Sequence, residues 1–146
     1  MSPMPDEHLS QPGDPIGNLV AGSPITVSET VTLRTVASVL AAGDIGAVLV
    51  NCDGEMQGIV SERDLVRALA EGGDPDTIGA VDVMSAPLQT VDRDADILTV
   101  AVRLVAGDIR HMVVTSGDDV IGVVSARDVF RVLTVEALEA AGVRVR

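Results

Sequence analysis

The sequence has no Trp, Tyr or Lys, and its 146 residues include one Phe and one Cys. A hydrophobic content of 47% still predicts a packed core, which must be built from Val, Leu, Ile, Ala and Met. The near absence of aromatic rings excludes aromatic stacking platforms for a ligand. The single Cys52 excludes an internal disulfide, and we interpret it as an incidental thiol because it has no CxxC partner.

Positive charge is also scarce, because ten Arg face 22 Asp and Glu and the formal net charge is -12. Such a chain repels phosphate backbones and anionic lipid, so we expect no nucleic-acid or membrane partner. No apolar run resembles a signal peptide or reaches membrane-spanning length, which predicts a cytoplasmic location. Neither His8 nor His111 has a cluster of metal ligands around it in the sequence, so we predict no metal site.

What the chain does contain is a repeat. A shift of 64 positions aligns residues 26 to 69 (copy one) with residues 90 to 133 (copy two) without a gap, and 18 of the 44 aligned pairs are identical. The hydrophobic period in each copy predicts a strand, a helix, two strands joined by a tight turn, and a second helix. Each β-α-β-β-α unit is too small to be stable alone, so we expect an α+β fold in which the two copies pack together.

The flanking segments set the predicted boundaries. We expect a mobile, Pro-rich tail over residues 1 to 15, repeat 1 over 16 to 75, repeat 2 over 76 to 134, and a helical C-terminal tail over 135 to 146. Residues 71 to 79 have the Gly, Pro and Asp content of a linker. The segments PIGNLV (15 to 20) and GAVDVM (79 to 84) resemble matching lead-ins to the two copies. Glycines are expected to end three helices: Gly43, Gly107 and Gly142.

The corner between the third strand and the second helix is written twice, as GIVSERD (58 to 64) and GVVSARD (122 to 128). One interpretation is structural: Ser followed three residues later by Asp forms a capping box. The other is a ligand site, because Gly inside a strand marks a close approach and a helix N-terminus attracts anions. A carboxylate could accept hydrogen bonds from ribose hydroxyls.

The duplicated unit, the lead-in VDVM, the strands IGAVLV and IRHMVV, and Gly-x-x-Ser-x-x-Asp in both copies resemble a tandem pair of CBS domains, a Bateman module. The resemblance covers about residues 16 to 134. It implies a regulatory module rather than an enzyme, with two repeats packed about a pseudo-twofold axis and two clefts that take adenosine nucleotides. It also implies a homodimer.

The resemblance assigns roles to individual residues. Asp64 and Asp128 would hold ribose hydroxyls, and Ser61 and Ser125 would contact ribose or phosphate. Backbone groups at Thr26, Val27, Thr90 and Val91 would read the adenine edge. Other expected contacts lie at the corner or at a strand start: Gly58, Gly122, Arg63, Arg127, Arg110 and His111. The last two are phosphate candidates or a solvated strand start, and Arg63 and Arg127 are phosphate candidates or partners in surface ion pairs. Copy one has Gly46 and Ala47 where copy two has Arg110 and His111, so we expect unequal sites. Leu49 and Val113 replace a Pro frequent in the family.

Two function classes follow. The first is a stand-alone sensor that has no obligatory cofactor, binds AMP, ADP or ATP, and signals to a separate effector protein through conformational or oligomeric change. The alternative is a ligand-free platform for dimerisation or protein interaction, in which the Ser and Asp residues only cap helices. A catalytic role is disfavoured because no nucleophile and base can be grouped. S-adenosylmethionine or a dinucleotide as the ligand remains open.

Overall fold

The computed structural model describes residues 10 to 145; residues 1 to 9 and 146 lie outside the described part. The chain divides into two compact units. One unit contains residues 23 to 89, and the other contains the described residues up to Gly22 together with those from Thr90 onward. Within residues 10 to 145, no helix has the length and apolar character needed to cross a membrane.

Each unit has one three-stranded sheet and the predicted order of elements. The sheet orders are β1-β2-β3 and β4-β5-β6; the first pair of strands in each is parallel and the second antiparallel. Copy one comprises β1 (Thr26–Ser28), α1 (Leu33–Gly43), β2 (Ala47–Cys52), β3 (Glu55–Ser61) and α2 (Glu62–Ala70), followed by the short α3 (Ala80–Val83). Copy two comprises β4 (Thr90–Asp92), α4 (Ile97–Gly107), β5 (His111–Ser116), β6 (Asp119–Ser125) and α5 (Ala126–Ala140). The predicted α+β fold with two β-α-β-β-α repeats is confirmed.

The helices α1 and α4 begin and end in the same way. A side-chain oxygen caps each N-terminus: Thr32 accepts from the Thr35 N–H, and Asp96 accepts from the Thr99 N–H at 2.7 Å. The prediction that Gly43 and Gly107 form the C-terminal caps was wrong. The left-handed residue is the next one, Asp44 (φ 48°) or Asp108 (φ 49°), because Asp tolerates this conformation better than most L residues.

The two lead-ins are exchanged between the copies. Ile16, in a 3-10 helix over Ile16–Leu19, is fully buried in the core of copy two, and its N–H donates to the Ala95 carbonyl at 2.7 Å. Ala80, at the start of α3, is buried in the core of copy one, and its N–H donates to the Val31 carbonyl at 2.8 Å. Each lead-in therefore completes the core of the copy that it does not precede in the sequence.

The segments before these lead-ins supply hydrogen-bond acceptors to the first residues of α4 and α1. The carbonyls of Asp14 and Pro12 accept from the N–H groups of Ile97 and Leu98, both at 3.0 Å. Residues 12 to 15 of the predicted tail are thus packed, because they supply acceptors to N–H groups that a helix leaves unpaired. Residues 1 to 9 of that tail lie outside the described residues. The predicted linker does the same for copy one, where the carbonyls of Ile78 and Pro75 accept from the first two residues of α1.

The C-terminal helix α5 continues to Ala140, and Gly142 then takes a left-handed conformation with φ 82°. The Gly142 N–H donates to the Glu139 carbonyl and the Val143 N–H to the Leu138 carbonyl, both at 2.9 Å. These two bonds form a Schellman motif, which satisfies carbonyls at the end of the helix. The predicted helix stop at Gly142 is confirmed.

Candidate functional site

The repeated corner is a capping box in both copies. The Ser61 N–H donates to Asp64 Oδ2 at 2.8 Å, and the Asp64 N–H donates to Ser61 Oγ at 3.4 Å. The matching distances for Ser125 and Asp128 are 2.9 and 3.1 Å. The structural interpretation of the motif is confirmed, and such a cap stabilises a helix by about 1 kcal/mol. Each carboxylate accepts its capping bond through Oδ2, and the second oxygen of the half-buried Asp64 carboxylate has no hydrogen bond within residues 10 to 145.

The start of the middle strand lies beside the corner. Ala47 pairs with Ser61 in copy one, and His111 pairs with Ser125 in copy two. The Ala126 N–H donates to the Arg110 carbonyl at 2.7 Å, and the Glu62 N–H makes the same bond to Gly46. The structure therefore brings Arg110 and His111 next to the copy-two corner. The aligned positions of copy one, Gly46 and Ala47, have no charge.

The first strand of each sheet begins near the end of the sheet where the corner lies. Thr26 pairs with Leu49, and Thr90 pairs with Val113, so each Thr is separated from the third strand by one strand. Two adjacent strand spacings amount to roughly 10 Å. Both Thr residues are exposed. Val27 and Val91 are buried in the cores of their copies, so their side chains do not line an open surface, and only their backbone groups could meet a ligand.

The two strand glycines mark close approaches, as predicted, but the neighbour is a lead-in side chain. A Cβ on Gly58 would lie 2.3 Å from Met84 Sδ, and a Cβ on Gly122 would lie 2.3 Å from Val20 Cγ1. Real Cβ atoms essentially never show such short contacts. Packing against Met84 and Val20 is therefore sufficient to explain both glycines, and ligand contact at these positions stays a prediction.

The arginines of the corner are exposed in both copies. Within residues 10 to 145 neither Arg63 nor Arg127 forms an ion pair, so the alternative of surface ion pairs is not seen there. The ion pair that the described residues do contain joins Arg34 to Asp76 through two hydrogen bonds, and it lies at the start of α1. Asp76 in turn has a lowered pKa because it accepts hydrogen bonds from Arg34.

Two other kinds of site that the sequence raises are a reactive cysteine and a metal centre. Burial, followed by a hydrogen bond with Glu29, raises the pKa of the Cys52 thiol, which favours the protonated, weakly nucleophilic form. Among residues 10 to 145, no group of three or more His, Cys, Asp and Glu side chains is placed to hold a metal ion.

One contact at the site was not predicted from the sequence. Arg103 Nη1, on α4, donates to the Thr90 carbonyl at 2.9 Å. The aligned residue in copy one is Val39, which has no donor. Sequence alignment shows that positions 39 and 103 differ, but the contact joins residues 13 positions apart across a helix and a strand. Only the fold brings them together.

A family model for the CBS domain matches residues 16–71 and 80–135. The chain belongs to the CBS domain family. Two curated relatives support this assignment. An uncharacterized protein of Methanopyrus kandleri is 33% identical over 120 residues, which cover 80% of this chain and 61% of that protein. Hypoxic response protein 1 of Mycobacterium tuberculosis is 30% identical over 114 residues, which cover 77% of this chain and 80% of that protein. The chain thus spans about three fifths of the first relative.

Solved structures of CBS domain proteins share the fold. A CBS domain protein from Pyrobaculum aerophilum complexed with AMP has 27% identity and a TM-score of 0.71, covering 82% of this chain and 98% of that chain. A CBS-domain containing protein from Agrobacterium tumefaciens has 26% identity and a TM-score of 0.77, covering 83% and 94%. The resemblance to a tandem CBS protein is confirmed.

Proposed function

We propose that this CBS protein is a regulatory module that binds an adenosine nucleotide, AMP, ADP or ATP, at the Ser-Asp corners. Occupancy of these corners would change its conformation or self-association and thereby signal to a separate effector protein. Ligand binding shifts such an equilibrium by its difference in affinity for the two states. The AMP complex of the Pyrobaculum aerophilum relative supports this choice of ligand.

The observation that carries the proposal is that the cap uses one oxygen of each motif carboxylate. The capping box uses Oδ2 of Asp64 and of Asp128 and leaves the other oxygen outside the cap, and that of Asp64 has no partner among residues 10 to 145. A carboxylate offers about four lone-pair sites, so capping leaves capacity for hydroxyl donors. Two adjacent ribose hydroxyls are donors of this kind. Capping and ribose binding are therefore compatible functions of the same side chain.

Basic residues and a helix N-terminus beside the copy-two corner suit the phosphate. Arg110 and His111 adjoin Ser125, and Arg127 stands in the first turn of α5, whose N-terminus carries partial positive charge. In a chain of net charge -12, these arginines are a local source of positive charge. Copy one offers Arg63 and no counterpart to Arg110 or His111. We therefore expect copy two to contribute more of its affinity through phosphate than copy one does.

Thermal unfolding followed by circular dichroism tests the proposal, because the chain lacks Trp and Tyr for intrinsic fluorescence. A nucleotide at 100 times its dissociation constant adds ~2.7 kcal/mol of stability, or roughly 5 to 10 °C for a domain of this size. Asp64→Asn and Asp128→Asn keep an acceptor for the cap but lose the charge. Each should weaken nucleotide binding at its corner by at least about tenfold. No shift with AMP, ADP or ATP at millimolar concentration contradicts the proposal.

A second function, self-association, is favoured by an apolar stripe on α4. Its three members are exposed and recur at helical spacing: Leu98 (51% exposed), Val102 (61%) and Val105 (83%). The aligned residues of copy one are Arg34, Ser38 and Ala41, so the β-α-β-β-α fold does not require apolar side chains there. Within α4 the one charged residue is Arg103. Two copies of this acidic chain could therefore meet along α4 without opposing carboxylates, and we propose a second copy as the occupant of the stripe.

Sedimentation velocity measures this association. Val102→Glu should convert a dimer to a monomer, whereas Ser38→Glu, the matched change in copy one, should leave the dimer intact. A monomeric wild-type chain at micromolar concentration, or a dimer that survives Val102→Glu, contradicts the assignment of the stripe. In the first case a separate protein becomes the occupant to seek.

A further inference from the structure

The first residue of each first strand, Thr26 or Thr90, presents its backbone to the open edge of the sheet. In copy one the Leu49 N–H donates to the Ile25 carbonyl at 3.0 Å, and the Glu29 N–H donates to the Asn51 carbonyl at 3.1 Å. Since alternate residues of a parallel strand face the same neighbour, Thr26 turns its N–H and carbonyl away from β2. The register of Thr90 with Val113 places Thr90 in the same way. Each edge thus carries a donor beside an acceptor.

The two edges differ in whether a side chain donates a hydrogen bond to the exposed carbonyl. Arg103 Nη1 donates to the Thr90 carbonyl at 2.9 Å. In copy one the aligned Val39 is half-buried against the core, and no residue between 10 and 145 donates to the Thr26 carbonyl beyond the sheet. A guanidinium has five donors and no acceptor. The copy-two edge therefore places guanidinium donors beside an acceptor that is already in use, whereas the acceptor of the copy-one edge has no such donor beside it among the described residues.

Adenine carries the N6 amino donor beside the N7 ring-nitrogen acceptor on its Hoogsteen edge, which matches a carbonyl beside an N–H. At the copy-two edge, the same amino group would meet the donors of Arg103. A 6-oxopurine has two acceptors on this edge, O6 and N7, and would accept from Arg103 and from the Thr90 N–H. We infer that Arg103 sets the base preference of copy two, so that the preference for adenine over a 6-oxopurine is stronger at copy one than at copy two; this inference rests on the proposed nucleotide site.

Isothermal titration calorimetry with AMP and inosine monophosphate tests the inference one site at a time. Asp128→Asn weakens the copy-two corner and reports on copy one, and Asp64→Asn does the converse. The ratio of AMP affinity to inosine monophosphate affinity should be at least about tenfold higher for copy one, because at copy two the amino group of adenine would face the donors of Arg103, and a polar group left without its partner is disfavoured. Arg103→Val, which installs the copy-one residue, should raise this ratio at copy two toward that of copy one.

The reverse substitution, Val39→Arg, should lower the ratio at copy one. Because Val39 is half-buried, an Arg at this position can disturb folding. Arg103→Ala changes an exposed position and serves as a second variant that does not carry this risk. Equal ratios at the two wild-type corners, or a copy-two ratio that neither Arg103 substitution moves, would overturn the role of Arg103 while leaving the proposed function standing. Binding of neither nucleotide to the wild-type chain overturns both.

Discussion

Copy one and copy two share the plan of their interior, and they differ in chemistry where they can meet other molecules. Both have buried apolar faces on their first helices, the same capping box at the corner and an exchanged lead-in. They differ at the strand start beside the corner (Ala47 against His111), at the sheet edge (Val39 against Arg103) and on the first helix (Ser38 against Val102). The comparison teaches that the repeated positions build the CBS fold, and that the unequal positions are the ones to test for binding.

The largest expected difference between the copies comes from the lead-ins. Ile16 is fully buried in the copy-two core. The aligned residue of the other lead-in, Ala80, is buried in the copy-one core and is already small. Ile16→Ala should cost about 2 to 5 kcal/mol of unfolding free energy, measured in urea. Amide hydrogen exchange should show that α4 loses protection and α1 keeps it. Loss confined to α1 would show that the lead-in does not support copy two.

A smaller contrast is expected at the strand glycines. Ala at either position overpacks, which costs about 1 to 3 kcal/mol. Gly122→Ala should cost more than Gly58→Ala, because Val20 is stiff at its first side-chain torsion while Met84 has more rotatable bonds. Urea denaturation of both variants measures the difference. Gly13→Ala is the control, since nothing lies within 4 Å of its Cβ position. The opposite ranking of Gly58→Ala and Gly122→Ala would mean that the lead-ins accommodate a methyl group in another way.

The smallest contrast is a response to acid. Hydrogen bonds from Thr99 hold the pKa of Asp96 below its ordinary value, whereas Thr32, the matching cap of α1, does not titrate. Since the folded pKa lies below the unfolded value of about 4, the Asp96 cap is fully stabilising above that pH. Its contribution is lost as the pH falls through the folded pKa.

Amide exchange of α4 at pH values above and below about 4 measures this loss. Asp96→Thr, which installs the cap of copy one, should make α4 less sensitive to acid. The Arg34–Asp76 pair gives the start of α1 an acid response of its own, because the pKa of Asp76 is also lowered, so Asp76→Asn belongs among the controls. An unchanged acid response of α4 in Asp96→Thr would contradict the role of this cap.

Local and periodic features of the fold could be predicted from the sequence. The 64-residue shift, the apolar spacing of α1 and α4, and the Ser-Asp capping box depend on neighbours within a few positions. The exchange of the lead-ins could not be predicted this way. PIGNLV and GAVDVM look alike, and their similarity does not say whether Ile16 completes the core of copy one or of copy two.

Contacts between residues that are distant in the sequence could not be predicted from it either. A glycine at 58 or 122 signals that something lies close, but the identity of that neighbour, Met84 or Val20, depends on the exchange. The left-handed residue moves by one position when the helix is one residue longer, so the sequence pattern alone could not distinguish Asp44 from Gly43 as the C-terminal cap. The bond between Arg103 and the Thr90 carbonyl requires the tertiary fold.

The central claim is that nucleotide binds at the Ser-Asp corners, and a titration with AMP followed by two-dimensional amide NMR tests it most directly. We predict saturable shifts of the amides of residues 61 to 64 and 125 to 128, together with those of Thr26 and Thr90. The changes at 61 to 64 should be lost in Asp64→Asn, and those at 125 to 128 in Asp128→Asn. Spectra that do not respond to AMP, or shifts confined to residues away from both corners, would contradict the claim.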